Sequence, residues 1–286
     1  MDAEPDFAPP PDFASGKGHR DENFPVASFL LKPEHRVPVM AFYRFARASD
    51  DISDHEALPA ITKLDLLGKM RDGLDGKPGG APEAAALRAV MAEHGLNAVH
   101  AHDLLDAFVR DVTVTRYEDW EGLIGYCRLS AMPVGRYVLD VHGEDRATWP
   151  ASDALCAALQ VINHLQDCAK DYHMLDRVYI PAETFAATGA RIEDLSGARA
   201  TPALRAAIVS LAGKTRDLLG TSAGFAAMIA DRRLAAEVAI IQRLAVSLCG
   251  RLETRDPLSE RVHHKSYEAA FLAAGAAVGS LFRRAA

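Results

Sequence analysis

Apolar residues recur at helical rather than strand spacing over almost the whole chain. From Asn23 onward the apolar positions fall mostly three and four apart, and no alternating stretch of useful length interrupts them. The pattern predicts a short helix over Phe24–Leu31 that stops near Pro33, then a helix from Val37 to Ile52 with Pro38 tolerated in its first turn. The DGKPGGAPE run at 75–83 reads as a loop, followed by helices at Ala84–His94 and Val99–Thr115 with Gly95 between them. Trp120–Val141 reads as one long helix kinked by Pro133, and Ala151–Tyr172 as another. Residues 173–203 carry Pro181, Gly189, Gly197 and Pro202 and read as irregular. Ala203–Ala230, Leu234–Glu253 and Tyr267–Arg284 complete the helices. Residues 1–20, rich in Pro, Gly and charge, lack periodicity and read as a disordered lead. The expected fold class is all-α: a single domain over residues 21–286, with long helices around a central cavity.

The composition narrows the function classes. With 286 residues, 49% of them hydrophobic, the chain can bury a sizeable core, and a net charge of −7 argues against a nucleic-acid binder. An anionic substrate would need a metal or local Arg and Lys groups to be held. Cys127, Cys156, Cys168 and Cys249 stand singly, with no CxxC, as free thiols would in a reducing compartment. The N-terminus has no apolar run of signal-peptide type, and no apolar stretch reaches the ~18 residues of a membrane span. A cytoplasmic placement follows as an expectation. The last segment, apolar and then basic, reads either as a closing helix or as a surface touching the inner face of a membrane.

Candidate chemistry concentrates in LQVINHLQDCAKD, Leu159–Asp171. At about 100° per residue, Gln160, Asn163, Asp167 and Asp171 fall within a sector of roughly 80°, beside an apolar sector of Leu155, Leu159, Ile162 and Leu165. Two carboxylates a turn apart, backed by an amide, are hard oxygen ligands suited to Mg²⁺. Most such acid pairs merely face water. A second cluster, Asp50, Asp51 and Asp54, crowds three carboxylates into one turn at a helix end whose own dipole disfavours them, with Arg47 placed to relieve the repulsion. Alone it reads equally as a charged helix end. Two such rails facing one another across a bundle could hold two or three Mg²⁺ ions and grip a diphosphate.

Motifs in register carry a resemblance. YRFARASDDISD (Tyr43–Asp54), YCRLSAMPVGR (Tyr126–Arg136), LQVINHLQDCAKD, RVYIP (Arg177–Pro181) and DPLSERV (Asp256–Val262) are similar, in order, to segments of the squalene/phytoene synthase family, from roughly Glu22 to Lys265. The resemblance implies Mg²⁺-dependent ionisation of a prenyl-type diphosphate. Metal ligands would then be Asp50, Asp51, Asp54, Asn163, Asp167 and Asp171, with Asp50, Asp54, Asp167, Asp171 and Tyr126 the catalytic set. Tyr43, Arg44, Arg47, Gln160, Asn163, Lys170 and Arg177 would hold substrate and diphosphate. Val134, Gly135, Ala131 and Leu159 would line a water-poor cavity for the cation.

Departures from the family pattern point to a branch. Gln166-Asp167 stands where Arg-Asp is common, and ENFPVASFLL (Glu22–Leu31) replaces a His/Ser-rich stretch. Both resemble the branch that converts presqualene diphosphate and water into hydroxysqualene, with no NADPH expected. That branch implies functional pairing with a presqualene diphosphate synthase and with a dehydrogenase-type reductase. The competing readings are condensation of two prenyl diphosphates to presqualene diphosphate, phytoene or squalene, and a non-catalytic assembly factor of the same fold. Gln166 either orients the quenching water or points away into the apolar sector. His164, at the rail's edge, is a candidate base, although a lone His is more often structural.

Overall fold

The computed structural model describes residues 32–264, and all of their regular elements are helical apart from an isolated bridge pair. The expected helices at Phe24–Leu31 and Tyr267–Arg284, and the lead at 1–20, lie outside the described residues. Pro33 opens a helix rather than stopping one: α1 (Pro33–Asp54) begins with it at the first turn, where a missing N–H costs nothing, and runs through the whole first acid cluster. The sequence reading passed over α2 (Ala60–Asp75), whose Leu67, Met70 and Leu74 are buried although the rest of its surface is mixed. After α3 (Pro82–Glu93) and α4 (Val99–Thr113), the expected long helix at Trp120–Val141 is two. Backbone hydrogen bonding changes register at Ala131, separating α5 (Trp120–Ser130) from α6 (Met132–Val141), which again takes its Pro in the first turn. Pro133 therefore starts a helix instead of kinking one.

The Ala151–Tyr172 helix is also two. α7 (Trp149–Gln166) ends at Asp167, whose φ of −103° and ψ of 9° depart from helical values, and α8 (Cys168–Leu175) resumes after it. Asp167 is thus the hinge of the second acid motif, not an interior helix position. The stretch expected to be irregular contains the end of α8, α9 (Ala182–Thr188) and a short 3₁₀ turn at Ile192–Ser196. Beyond it come α10 (Pro202–Thr221), α11 (Phe225–Met228) and α12 (Arg232–Thr254), so Ala203–Ala230 also breaks in two.

Two apolar clusters set the frame. One joins buried residues of α5, α7, α10 and α12, including Leu123, Val161, Ile162, Ile208, Leu211 and Leu248; the other joins Phe42 and Phe45 of α1 to α2, α3 and α4. α7 is buried along most of its length, which leaves its Gln160–Asn163 edge to face inward on a cavity. The α6–α7 contact is close enough to demand Gly135: a Cβ there would sit 2.5 Å from Cys156 Sγ and 2.6 Å from Ser152 Oγ. The cysteines are unbridged, three of them buried and Cys156 half-buried. No helix among the described residues is long and apolar enough to cross a membrane.

Candidate active site

A cavity of about 1040 Å³ opens between the acid-bearing end of α1 and the α7–α8 junction. Asp50, Asp51 and Asp54 line it from one side, and Asn163, Asp167 and Asp171 from the other. Tyr43, Arg47, Tyr126, Ser130, Val134, Gln160 and Lys170 also belong to its walls. The two rails, more than a hundred residues apart in the chain, therefore address one space.

The first rail is braced by two arginines. Arg47 donates to Asp50 at 2.7 Å and to Asp51 at 2.6 Å, the three- and four-residue spacings that one helix face allows. Asp51, almost fully buried in the cavity wall, anchors Arg47. Burial, and after it the Asp54 carboxylate, push Asp50 up to about 7 despite the Arg47 contact. The rail therefore carries more negative charge than its own arginine neutralises, the condition that a divalent cation would relieve. Among the described residues no three His, Cys, Asp or Glu side chains converge on a common point. Facing carboxylate pairs that leave room for phosphate oxygens suit Mg²⁺, which usually takes one or two carboxylates and completes its shell from substrate and water.

Five expected site residues stand elsewhere. Arg44 is exposed and is not part of the cavity wall: it stands nearly two turns before Asp50 and Asp51 along α1. Gly135 lies in the α6–α7 contact instead of the wall, and Ala131 and Leu159 likewise stay out of the lining. Arg177 is buried behind the first rail: it donates to Asp54 at 2.6 Å, to the Ser53 carbonyl and to the Asp111 carbonyl, each at 3.1 Å. Its fork is committed to protein acceptors, so it fixes the rail instead of standing free for diphosphate. Gln166 is buried and outside the cavity wall, as its place in the apolar sector requires.

Residues the sequence reading did not select complete the site. The RVYIP segment runs extended beside Thr115–Tyr117, with the Val178 N–H donating to the Thr115 carbonyl at 2.9 Å. Residues two apart in an extended segment share a side, which sends Arg177 and Tyr179 inward together. Both meet Asp111 on the buried face of α4, an amphipathic helix that also carries Asp103 and Asp106, so that no spacing rule marks it. Asp111 accepts from the Tyr126 hydroxyl at 2.9 Å and the Tyr179 hydroxyl at 3.3 Å. Burial pushes its carboxyl up to about 6, against the pull of Arg177. Tyr126 is raised well above its ordinary value by the same burial and by Asp111, so it remains a neutral phenol. His164 lies in the cavity wall, stacked on Tyr179 with ring centroids 3.4 Å apart. His263, from the last described segment, approaches Asp167 to 3.9 Å and closes that side of the cavity.

The arrangement joins a charged mouth to an aromatic interior containing Tyr126, Tyr179 and Phe108. Such a cavity can take a diphosphate at one end and a hydrocarbon cation at the other. The squalene/phytoene synthase family pattern matches residues 18–268, which is most of the chain. The chain belongs to the squalene/phytoene synthase family. It is 55% identical to a hydroxysqualene synthase of Zymomonas mobilis over 94% of this chain and 91% of that protein. Identity to a hydroxysqualene synthase of Rhodopseudomonas palustris is 53%, over 94% of this chain and 92% of that one. Among solved structures, a squalene synthase from Alicyclobacillus acidocaldarius superposes with a TM-score of 0.68 at 29% identity, covering 79% of this chain and 88% of that one. The helical cavity described above is thus that of an isoprenoid synthase, and the chain is an enzyme of that class.

Proposed function

We propose that this family member converts presqualene diphosphate and water into hydroxysqualene and diphosphate, with Mg²⁺ as its metal. The observation that carries the reading is the pair of acid rails facing one cavity whose far wall is aromatic. The similarity to hydroxysqualene synthases over nearly the whole chain supports the choice of branch.

Asp50 and Asp54 from α1, and Asn163, Asp167 and Asp171 from α7 and α8, are the groups that would hold Mg²⁺. When bound, the metal supplies a Lewis acid that neutralises the departing diphosphate. Lys170, at the exposed edge of the cavity, adds a cationic donor for phosphate oxygens, and Tyr43 lines the same mouth. Arg47 braces Asp50 and Asp51 so that the first rail keeps its geometry as charge develops. The carbon–oxygen bond of the substrate breaks with its electron pair leaving on diphosphate. The faces of Tyr126 and Tyr179 then stabilise the cation while it rearranges, and Val134 and Phe108 keep that part of the cavity apolar. Residues 21–286 would act as one catalytic unit in a cytoplasmic setting. Hopanoid-type squalene biosynthesis, a presqualene diphosphate synthase upstream and a dehydrogenase-type reductase downstream complete the proposal, with peripheral membrane contact where the lipid product leaves.

The test is incubation of the purified chain with presqualene diphosphate and Mg²⁺, with and without NADPH. Hydroxysqualene in both is expected. Squalene formed only with NADPH would refute the water-quenched reading, and accumulation of presqualene diphosphate from farnesyl diphosphate would favour a condensing enzyme instead. Asp167→Asn should nearly abolish turnover while leaving the far-ultraviolet circular dichroism intact; wild-type-like turnover at saturating Mg²⁺ would remove Asp167 from the metal set.

A further inference from the structure

Ser130 stands apart among the polar groups of the cavity wall. A hydroxyl within a helix ordinarily turns back on the carbonyl four residues earlier. Ser49, Thr113, Thr188, Thr215 and Thr254 do so, at 3.0, 3.1, 2.9, 2.7 and 3.1 Å. Ser130, the last residue of α5, does not: its Oγ is buried and has no hydrogen-bond partner among the described residues. Its polar neighbours are engaged. The Tyr126 and Tyr179 hydroxyls donate to Asp111 at 2.9 and 3.3 Å, and Gln160 Nε2 lies 2.9 Å from His164 Nε2. Ser130 follows Tyr126 by four residues, which puts both on one face of α5, and both line the cavity together with Val134. α5 carries no residue of either acid rail, so this hydroxyl belongs to the aromatic and apolar side of the site. A buried hydroxyl without a partner lowers the stability of a fold, and an alanine would pack there without that penalty. A ligand inside the cavity would supply the missing bond.

From this we infer that the Ser130 hydroxyl binds the water that quenches the cation, holding it one helical turn from Tyr126. The inference rests on the water-quenched reading above and deepens it by naming a residue that touches a reacting molecule. Ser130 Oγ accepts from one hydrogen of the water, which leaves that water's lone pairs free for the cation. Tyr126 and Gln160, in the same wall, supply the further polar contacts that a bound water needs. A new carbon–oxygen bond forms from a water lone pair, one water O–H bond breaks, and the proton passes to the diphosphate released in the first step. No oxidant or reductant is involved. Where no water is held, a carbon beside the cation loses its proton to the diphosphate, a carbon–carbon double bond forms, and the product is a hydrocarbon.

The experiment compares products from presqualene diphosphate and Mg²⁺ in isotopically labelled water for wild type, Ser130→Ala, Ser130→Thr and Ser130→Val. Each product share is read within that variant's own turnover. Wild type should make labelled hydroxysqualene; if it makes none, the reaction reading falls and the Ser130 role falls with it. In Ser130→Ala the hydroxysqualene share should drop roughly tenfold, equivalent to about 1.4 kcal/mol, with proton-loss hydrocarbon replacing it. Thr and Val share a shape and differ in the hydroxyl, so Ser130→Thr should keep most of the alcohol and Ser130→Val should lose it. The melting temperature of Ser130→Ala should match or exceed that of wild type, because no protein group loses a bond. With wild type active, an unchanged share in Ser130→Ala overturns the Ser130 role alone. So does a raised KM at unchanged product shares, which would assign the hydroxyl to diphosphate binding. Equal shares in Ser130→Thr and Ser130→Val, or a melt lowered by several degrees in Ser130→Ala, would make the residue structural and overturn the role. Loss of all turnover in Ser130→Ala overturns it too, since ionisation belongs to the rails. Ser130→Ala against wild type decides the matter even where the two branched variants do not fold.

Discussion

At the scale of single residues, the site is built from charges that the fold holds against their preference. Asp50 is raised from 3.8 to about 7 by burial and by Asp54, so the folded chain binds this proton more tightly than the unfolded chain does. The stability tied to that proton is fully present below the unfolded value and is lost as pH rises through the folded one. Asp50→Asn should therefore flatten the fall in metal-free melting temperature between about pH 5 and about pH 8, while turnover is lost; an unchanged pH slope would contradict the charge crowding. Arg177 shows the opposite case, a buried cation with three protein acceptors. Arg177→Met should lower the unfolding free energy by roughly 2–4 kcal/mol, because the Asp111 carbonyl loses this donor and the Ser53 carbonyl is left with Lys63 Nζ, while Asp54 keeps some contact with water. Denaturant titration reads that change directly.

At the scale of elements, helix breaks place the chemistry. The interruption at Asp167 makes two short rails of one motif, and the Asp171 N–H donating to the Asp167 carbonyl at 2.9 Å keeps the two carboxylates in register across the break. Pro33 and Pro133 each occupy the first turn of a helix, the position where the missing N–H has no intrahelical partner to lose. Gly135 sets how near α6 comes to α7, which carries Gln160, Asn163 and His164. Gly135→Val should overpack that contact and cost about 1–3 kcal/mol. Its thermal melt should fall, and at temperatures where it stays folded its turnover should fall too, since any shift of α7 moves the wall; wild-type turnover with a lowered melt would separate packing from the site.

At the scale of the whole molecule, cation and fold are linked. The rails meet only because the α1–α4 cluster and the α5–α12 cluster pack on either side of the cavity. A cation that neutralises the rails binds the folded chain and not the unfolded one, and it stabilises by mass action. Mg²⁺ with inorganic diphosphate should raise the melting temperature by several degrees, more at about pH 8 than at about pH 5.5, where protons compete for Asp50. Differential scanning fluorimetry over that grid checks it; an equal shift at both pH values would point to binding away from the rails.

The periodicity of the sequence was enough for the helical class, because a 3.6-residue apolar repeat is a local property that tertiary packing only reinforces. Spacing likewise marked Asp50, Asp54, Asn163, Asp167 and Asp171, since helix geometry puts residues three and four apart on one face. Other features were decided only when distant segments met. α2 escaped notice because its burial is confined to few positions on a mixed surface. Asp111, one of three acids on α4, carried no local signal, and Tyr179 gained its place only when α4 and the extended 177–181 segment came together. Arg177 and Gly135 had the right residue types for a substrate wall, yet long-range contacts turned one into a brace for Asp54 and the other into a point of helix contact. Local geometry thus determined which residues share a face; only the three-dimensional packing determined what each face meets.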